Sequence, residues 1–268
     1  FDNLIAGFMP AITPWENPKE GELYDKAFAS KYSVPVEDKS SARPILFESM
    51  MKFPKPYFDV IKNTGSVSMF PGFINGNLSA WGMDEIYRNH EYLIKYGDAF
   101  YPSMAMKAFL MLNNNPQTVL TDKNLKFPEL KYDIKQRKTV YGQTLTATKY
   151  YKLYNTGYSH TRYSAVDIMD SYDAIRQGKR PVISPDIFKD KIVLIGANVP
   201  AGTGLNDNKN TPITVNHPGV DIQATAVDNI LNHDFLKIVP DGLNALLTIL
   251  GMLLVYGFIR VSNLAKSI

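Results

Sequence analysis

The chain has 268 residues, with 29 Lys and Arg against 26 Asp and Glu, so its formal net charge is +3. This small excess does not argue for a nucleic-acid partner, and we expect none. Hydrophobic residues make up 45% of the sequence, which is enough for a folded core and excludes a disordered chain. The sequence has no cysteine, which excludes thiol catalysis, disulfides, iron–sulfur clusters and zinc ribbons.

The N-terminal part of the sequence is rich in proline and in charged residues. Residues 1–43 are expected to be mostly loop around a short helix at 23–30, because their prolines are too closely spaced for long helices. Short apolar runs bounded by Pro or Gly then predict strands at residues 45–51 and 65–70. A helical turn is predicted between them, at residues 57–63.

The middle of the chain carries one clear helix signal. A strand is predicted at residues 86–96, and Ser103 then has the position of an N-cap. Apolar residues recur at helical spacing after Ser103 until Asn113-Asn114-Asn115-Pro116 stops the helix. Residues 120–148 are polar, rich in Lys and alternating in hydrophobicity, which predicts exposed antiparallel strands.

The last third indicates an α/β domain. A helix is predicted from Ser164 toward Ile175, ending at Gly178. The unbroken apolar run at 192–195, within residues 191–196, predicts a strand covered on both faces, and a polar loop at 197–218 leads to a helix at 219–232. This succession predicts a layered α/β fold with a central, mostly buried sheet.

The C-terminal segment has the composition of a membrane helix. Residues 242–259 contain no charge and are just long enough to cross a bilayer, although a buried C-terminal core helix is the alternative. Arg260 and Lys266 follow the run, and the positive-inside rule then places residues 260–268 in the cytoplasm and 1–240 outside. We therefore expect an extracytoplasmic domain at 1–240 and a transmembrane helix at 241–259.

The loop after the predicted central strand is a candidate ligand site. It runs from Gly196 to Gly204, but it lacks the Gly-Lys-Ser/Thr of a phosphate loop and the GxGxxG pattern. Open α/β sheets usually receive ligands at this place, so Asn198, Asp207 and Thr211 are the predicted ligand-binding residues. The alternative is that all three only hold turns.

No catalytic or metal site is predicted. No two histidines have the i, i+4 spacing of a helical metal site, and the spacing of three aspartates matches no calcium loop. These aspartates are expected to be surface or turn carboxylates: Asp207, Asp221 and Asp228. There is no GxSxG nucleophile elbow, so we expect no catalytic residue, no metal and no cofactor.

Two further clusters leave alternatives open. The first is a set of tyrosines, which can form a stacking platform for ligands or line a strand face: Tyr150, Tyr151, Tyr154, Tyr158 and Tyr163. The second is a basic stretch, which is expected to be a solvated edge that guards a strand against pairing: Lys126, Lys131, Lys135, Arg137 and Lys138.

Several segments, taken in order and spacing, resemble the CHASE2 family of extracytoplasmic sensor domains. The segments are Asp84 with Arg88, Tyr101-Pro102-Ser103-Met104-Ala105, Tyr163-Ser164-Ala165-Val166-Asp167-Ile168, residues 188–197, Thr211-Pro212 and Pro218-Gly219-Val220-Asp221-Ile222-Gln223-Ala224. The similarity spans about residues 60–236. Gln223 stands where the family usually carries His, and Phe1-Asp2 resembles a position inside the family's domain, so the first part of the domain is expected to be missing.

The resemblance implies a sensory input module of a bacterial receptor in the inner membrane, with residues 1–240 in the periplasm. The stimulus would be a small molecule or a protein, the receptor would be a homodimer, and the output would be an adenylate or guanylate cyclase or a kinase beyond the chain. The alternatives are a membrane-anchored α/β enzyme that uses the loop from Gly196 to Gly204, and an adhesive or scaffolding domain without a concave pocket.

Overall fold

The chain divides into two compact units, Phe1–Phe235 and Leu236–Ile268, in a computed structural model. The described residues are 4–11, 33–41, 49–52, 69–73, 86–96, 98–138, 144–150, 160–196, 208–237 and 239–265. The first unit holds strands and helices, whereas the second holds one long helix. The expected boundaries of the membrane segment at residues 241 and 259 stay predictions.

The described elements are groups of strands separated by helices. The strands are β1 (Leu4–Ala11), β2 (Glu37–Asp38), β3 (Ser49–Lys52), β4 (Met69–Phe73), β5 (Asn89–His90), β6 (Leu93–Tyr96), β7 (Ala99–Pro102), β8 (Val119–Leu120), β9 (Asn124–Phe127), β10 (Tyr132–Lys135), β11 (Arg137–Lys138), β12 (Thr144–Ala147), β13 (Asn208–Thr211) and β14 (Thr214–Pro218). The helices are α1 (Met104–Leu112), α2 (Ala165–Arg176), α3 (Gly219–Asn232) and α4 (Asp241–Ala265), with short 3-10 turns at Pro128–Leu130 and Pro185–Phe188.

Several small sheets form, and they contain both parallel and antiparallel pairs, so the predicted α/β class is confirmed. The strand orders are β3-β1-β4, β10-β9-β8-β2, β11-β12-β5, β13-β14 and β6-β7. Strand β1 lies within residues 1–43, where no strand was predicted. It pairs in parallel with β4 and antiparallel with β3, and its register shifts between Met9 and Ala11, around Pro10. A proline is tolerated at such an irregularity because it has no N–H to donate.

The core of the first unit forms where α1 meets helix α3 and strands on both sides of it in the chain. Ser103 caps α1 as predicted, since its hydroxyl accepts a hydrogen bond from the backbone N–H of Met106 at 3.1 Å. The ring of Phe109 on α1 lies 4.7 Å from that of Phe127 on β9, measured between centroids. Aromatic pairs at such distances contribute about 0.5–1.5 kcal/mol beyond the area they bury.

Strands β8 to β12 confirm the predicted antiparallel pairing within residues 120–148. The expectation that these strands are exposed is wrong for one face, because every second side chain of β9 and β10 is buried: Leu125, Phe127, Tyr132 and Ile134. In the predicted basic edge, Lys135 alternates with these residues on β10 and Lys131 lies just before that strand, and both are exposed.

Two other strand predictions need correction. Residues 86–96 are interrupted at Glu91 and Tyr92 and form β5 and β6 rather than one strand. The predicted strands at 45–51 and 65–70 overlap β3 and β4, while the helical segments predicted at 23–30 and 57–63 lie outside the described residues.

The predicted buried strand at residues 191–196 is wrong. These residues form no strand, none of the described strands pairs with them, and the side chain of Ile195 is 92% exposed. An apolar run forms a buried strand only where neighbouring strands satisfy its backbone and other elements cover its side chains. The helices on either side, α2 and α3, agree with the prediction, and Gly178 after α2 has a positive φ of 68°.

Candidate functional site

A hairpin leads the chain into helix α3. Strands β13 and β14 pair antiparallel, with Asn208 opposite Pro218, the residue before the helix. Residues 208–218 therefore form a hairpin, which corrects the expectation of a polar loop over the whole of residues 197–218. The hydroxyl of Thr211 donates to the carbonyl of Thr214 at 3.1 Å and accepts from its N–H at 3.3 Å, so Thr211 holds the turn of the hairpin.

A buried carboxylate lies between two histidines at the start of α3. Asp221 is 3% exposed, and its two oxygens contact different rings. Oδ2 lies 2.6 Å from Nε2 of His217, one turn earlier in the chain, and Oδ1 lies 2.9 Å from Nδ1 of His160, just before α2. We call these three residues the Asp221 cluster. It joins the end of β14, the start of α3 and the segment that leads into α2.

The position of the carboxylate is electrostatically favourable. Asp221 lies in the first turn of α3, where unpaired backbone N–H groups give the helix end a partial positive charge. His217 is fully buried, whereas the side chain of His160 is 27% exposed. A buried carboxylate is tolerated in proteins when polar groups surround it, and the two imidazole rings are such groups, with His160 in hydrogen-bond contact at 2.9 Å.

A tyrosine borders the cluster. The ring of Tyr150 lies edge-on to that of His217, with 6.0 Å between centroids. Burial raises the pKa of the Tyr150 hydroxyl, and the nearby Tyr87 and Asp221 raise it further, so the phenol stays protonated at neutral pH. Of the other members of the predicted tyrosine cluster, Tyr163 is exposed and packs edge-on against Phe188, and the remaining three lie outside the described residues.

Gly196 approaches helix α3 so closely that it has no room for a side chain. A Cβ atom built on Gly196 would lie 2.6 Å from Cβ of Val220 and 2.8 Å from its Cγ2. These atoms belong to a helix, so the contact is relieved only by moving backbone. The glycine therefore places the end of residues 191–196 against the first turn of α3, next to Asp221.

Gly196→Ala is expected to destabilise the first unit by about 1–3 kcal/mol, because overpacking forces the backbone apart. Thermal unfolding of the detergent-solubilised chain, followed by near-ultraviolet circular dichroism, measures this loss. Gly251→Ala on α4 is the matched control, since nothing lies within 4 Å of the position where its Cβ would be. Equal melting temperatures for the Gly196→Ala variant and the unmodified chain would show that the close approach is absent.

The predicted ligand residues have different outcomes. Thr211 is described, and its hydroxyl contacts the backbone of Thr214 within the turn of the hairpin. Asn198 and Asp207 lie outside the described residues. The nearest described residues are Gly196 before Asn198 and Asn208 after Asp207. Gly196 closely approaches Val220, and Asn208 pairs with Pro218, so both lie near the start of α3. Ligand binding by Asn198, Asp207 and Thr211 stays a prediction.

The Asp221 cluster corrects the expectation that Asp221 is a surface or turn carboxylate. Asp228 fits that expectation better, since it is only partly buried and accepts a hydrogen bond from Asn232 at 2.7 Å. His217 and Asp221 are spaced i, i+4 at a helix start, which indicates that their side chains can meet. A search that considers only pairs of histidines does not find this signal. His160 gives no such signal, because 61 residues separate it from Asp221.

The described surroundings of the cluster show neither a metal site nor a presented nucleophile. No group of three His, Asp or Glu side chains that could hold a metal ion occurs among the described residues. The hydroxyl nearest in sequence on the same helix, Thr225, donates to the backbone carbonyl of Asp221 at 2.8 Å. That hydroxyl is therefore not presented to an imidazole as a nucleophile would be.

The other end of α3 is fastened to the rest of the unit. Asn229 makes a reciprocal pair with the backbone of Lys149, accepting from its N–H at 2.8 Å and donating to its carbonyl at 3.1 Å. The ammonium of Lys149 lies 2.6 Å from the carboxylate of Asp234. The ring of His233 stacks on that of Tyr132, with 3.5 Å between centroids. We call these five residues the exit clamp, because the chain leaves the first unit directly after them.

One comparison identifies the family. The CHASE2 domain family matches residues 17–258, which is most of the chain and runs from the first unit into the apolar part of α4. The chain therefore belongs to the CHASE2 domain family, as the sequence resemblance predicts. CHASE2 domains are extracellular sensory domains of signalling receptors, and they are not catalytic. Neither a curated protein nor a solved structure matches the chain.

Proposed function

We propose that this chain is the periplasmic input module of a bacterial inner-membrane receptor, and that α4 carries its signal across the membrane. The observation that carries the proposal is the CHASE2 match, which continues from the α/β unit into α4. The receptor would pass its signal to a cytoplasmic cyclase or kinase. The segment itself would bind a stimulus and perform no chemistry.

The dimensions and flanks of α4 support a membrane crossing. Its apolar part, Gly242–Ser262, has 21 residues and is long and apolar enough to span a bilayer, with a length of about 30 Å at 1.5 Å per residue. Arg260 lies near its end, and its Nε donates to the hydroxyl of Tyr256 at 3.1 Å. Arginine and tyrosine at a helix end are typical of the membrane interface, and the positive charge favours the cytoplasmic side.

The start of α3 is the proposed place for the stimulus. The buried carboxylate and two imidazoles of the Asp221 cluster lie there. Gly196 and Asn208, the described residues on either side of the segment 197–207, lie there too. A small polar stimulus bound by Asn198, Asp207 or Thr211 would alter the Asp221 cluster through the hairpin that leads into this helix start. The exit clamp lies at the opposite end of α3, so this one helix would link the stimulus to the chain's exit.

Reporter fusions test the orientation of α4. The full chain is expressed behind a cleavable secretory leader and fused after Ile268 to alkaline phosphatase, which is active only in the periplasm, or to a fluorescent protein that folds only in the cytoplasm. We expect fluorescence and no phosphatase activity, because α4 halts export and leaves the fused reporter in the cytoplasm.

Matched variants separate membrane insertion from poor expression. Arginines in place of Leu250 and Leu253 cost about 2.5–3.5 kcal/mol each at the centre of a span, so this pair of substitutions should move the reporter to the periplasm and reverse both signals. Isoleucines at the same two positions should leave the signals unchanged. Phosphatase activity from the unmodified chain would contradict the proposed orientation and, with it, the receptor.

A further inference from the structure

Three polar side chains form a line across the sheet β11-β12-β5. His90 on β5 pairs directly with Thr146 on β12. On the other side of β12, the register pairs Leu145 with Arg137 of β11. Continued by one residue, this register places Gln136 opposite Thr146. Directly opposite residues of antiparallel strands project from the same face, so Gln136, Thr146 and His90 share one face of the sheet. We call these three residues the polar row.

The polar row is buried, and its side chains lack partners. Gln136 is 7% exposed, Thr146 1% and His90 2%. Four enclosed atoms of the row have no hydrogen-bond partner among the described residues: Nε2 and Oε1 of Gln136, Oγ1 of Thr146 and Nε2 of His90. Nearly all buried polar atoms in folded proteins are bonded to protein or to ordered water, because an unpaired one is costly. Three adjacent side chains of this kind therefore point to a bound molecule.

The polar row carries no charge at neutral pH. Its amide and hydroxyl do not ionise there, and burial lowers the pKa of His90 from 6.5 to about 4, which keeps the ring neutral. The ring of Tyr92 lies edge-on to that of His90 at this end of the row, with 4.9 Å between centroids. The row thus offers hydrogen-bond donors and acceptors without a charge, which favours a neutral molecule over an ion.

The spacing of the polar row fits water. Directly opposite residues on neighbouring strands have Cβ atoms about 4.5–5.5 Å apart. Two hydrogen bonds of about 2.8 Å each reach that far through a single water oxygen. One water between Gln136 and Thr146 and another between Thr146 and His90 would each have two side-chain partners, with the other water as a third. Buried waters typically make about three hydrogen bonds.

We propose that the polar row binds two internal water molecules, one on each side of Thr146. Thr146 is the shared partner of both waters, and Gln136 and His90 are the outer partners. The waters thereby link β12 to β5 on one side and to the start of β11 on the other, in addition to the backbone hydrogen bonds of the sheet. This inference is independent of the stimulus, of the Asp221 cluster and of the orientation of α4.

The sign of the stability change at Thr146 tests whether its hydroxyl is bonded. Thr146→Val removes the hydroxyl and keeps the shape of the side chain. Because a bonded hydroxyl stabilises the fold, the melting temperature of this variant is expected to fall by about 2–4 °C. A buried hydroxyl without a partner is costly, so valine would then raise the melting temperature. Thermal unfolding of the detergent-solubilised full chain, followed by near-ultraviolet circular dichroism, measures the sign.

Oxygen-17 magnetic relaxation dispersion of the solvent tests whether the partner is water, because it detects long-lived internal water molecules in the same sample. Thr146→Val is expected to lower the dispersion amplitude, since both waters lose their shared partner. Thr118→Val is the matched control. Thr118 is also buried, but its hydroxyl donates to the carbonyl of Pro116 at 3.3 Å, so its substitution should leave the amplitude unchanged.

The combined results decide the proposal. A lower melting temperature together with a lower amplitude for Thr146→Val, and an unchanged amplitude for Thr118→Val, supports the two waters. A higher melting temperature overturns them. A lower melting temperature with an unchanged amplitude also overturns them, because the side chains of the row then bond directly to one another. If Thr146→Val does not fold, Gln136→Met removes an outer partner and is judged by the same two measurements.

Discussion

Asp221→Ala is expected to lower the free energy of unfolding of the first unit by about 1–3 kcal/mol, which is the usual cost of removing one partner from a pair of buried polar groups. The substitution leaves His217 fully buried without the carboxylate that lies 2.6 Å from its Nε2. It also removes the contact that fastens His160 to the start of α3. Urea unfolding of the detergent-solubilised chain, followed by near-ultraviolet circular dichroism, measures the change.

Two further variants show whether the charge or only the shape of Asp221 matters. Asp221→Asn keeps the shape of the side chain and part of its hydrogen bonding, so its loss should be smaller than that of Asp221→Ala. Asp228→Ala on the same helix is the control for a partly buried carboxylate and should cost no more than about 1 kcal/mol. If Asp221→Ala and Asp228→Ala cost the same, the Asp221 cluster does not stabilise the fold.

Acid is expected to destabilise the first unit through His90. Burial lowers the pKa of His90 from 6.5 to about 4, so the folded protein keeps this ring neutral where the unfolded chain would protonate it. Stability is therefore unchanged above pH 6.5 and falls as the pH drops from 6.5 to 4. The full loss is about 3 kcal/mol, at 1.36 kcal/mol per pKa unit, and about 2 kcal/mol of it is present at pH 5.

The comparison of His90→Gln with the unmodified chain isolates this contribution. Glutamine does not titrate, so the drop in unfolding free energy between pH 7.5 and pH 5 should be about 2 kcal/mol smaller in the variant. Carboxylates elsewhere act equally on both proteins and cancel in the difference. An identical drop in the two proteins would mean that the ring of His90 is not kept neutral by burial.

The helices were predictable because their signals are local. Ser103 and the asparagines at 113–115 mark both ends of α1, and the absence of charge over residues 242–259 is a property of composition. Each of these signals lies within a few turns of the element that it predicts. The α/β class follows from the order of such elements.

The site was not predictable in the same way, because its contacts depend on tertiary structure. His160 reaches Asp221 across 61 residues of sequence, and nothing near either residue indicates the contact. The apolar residues at 191–196 have the composition of a strand, yet composition does not state whether a neighbouring strand is present. For the same reason β1 was not predicted, since its place depends on β3 and β4 rather than on its own prolines.

The exit clamp determines how a mechanical tension on the chain would enter the first unit. A pull applied at Leu236 reaches Asp234 and His233 before it reaches the backbone hydrogen bonds of α3. Those side chains pass part of the load to Lys149 and to the ring of Tyr132 on β10. The force is thus shared between these contacts and the last turn of α3.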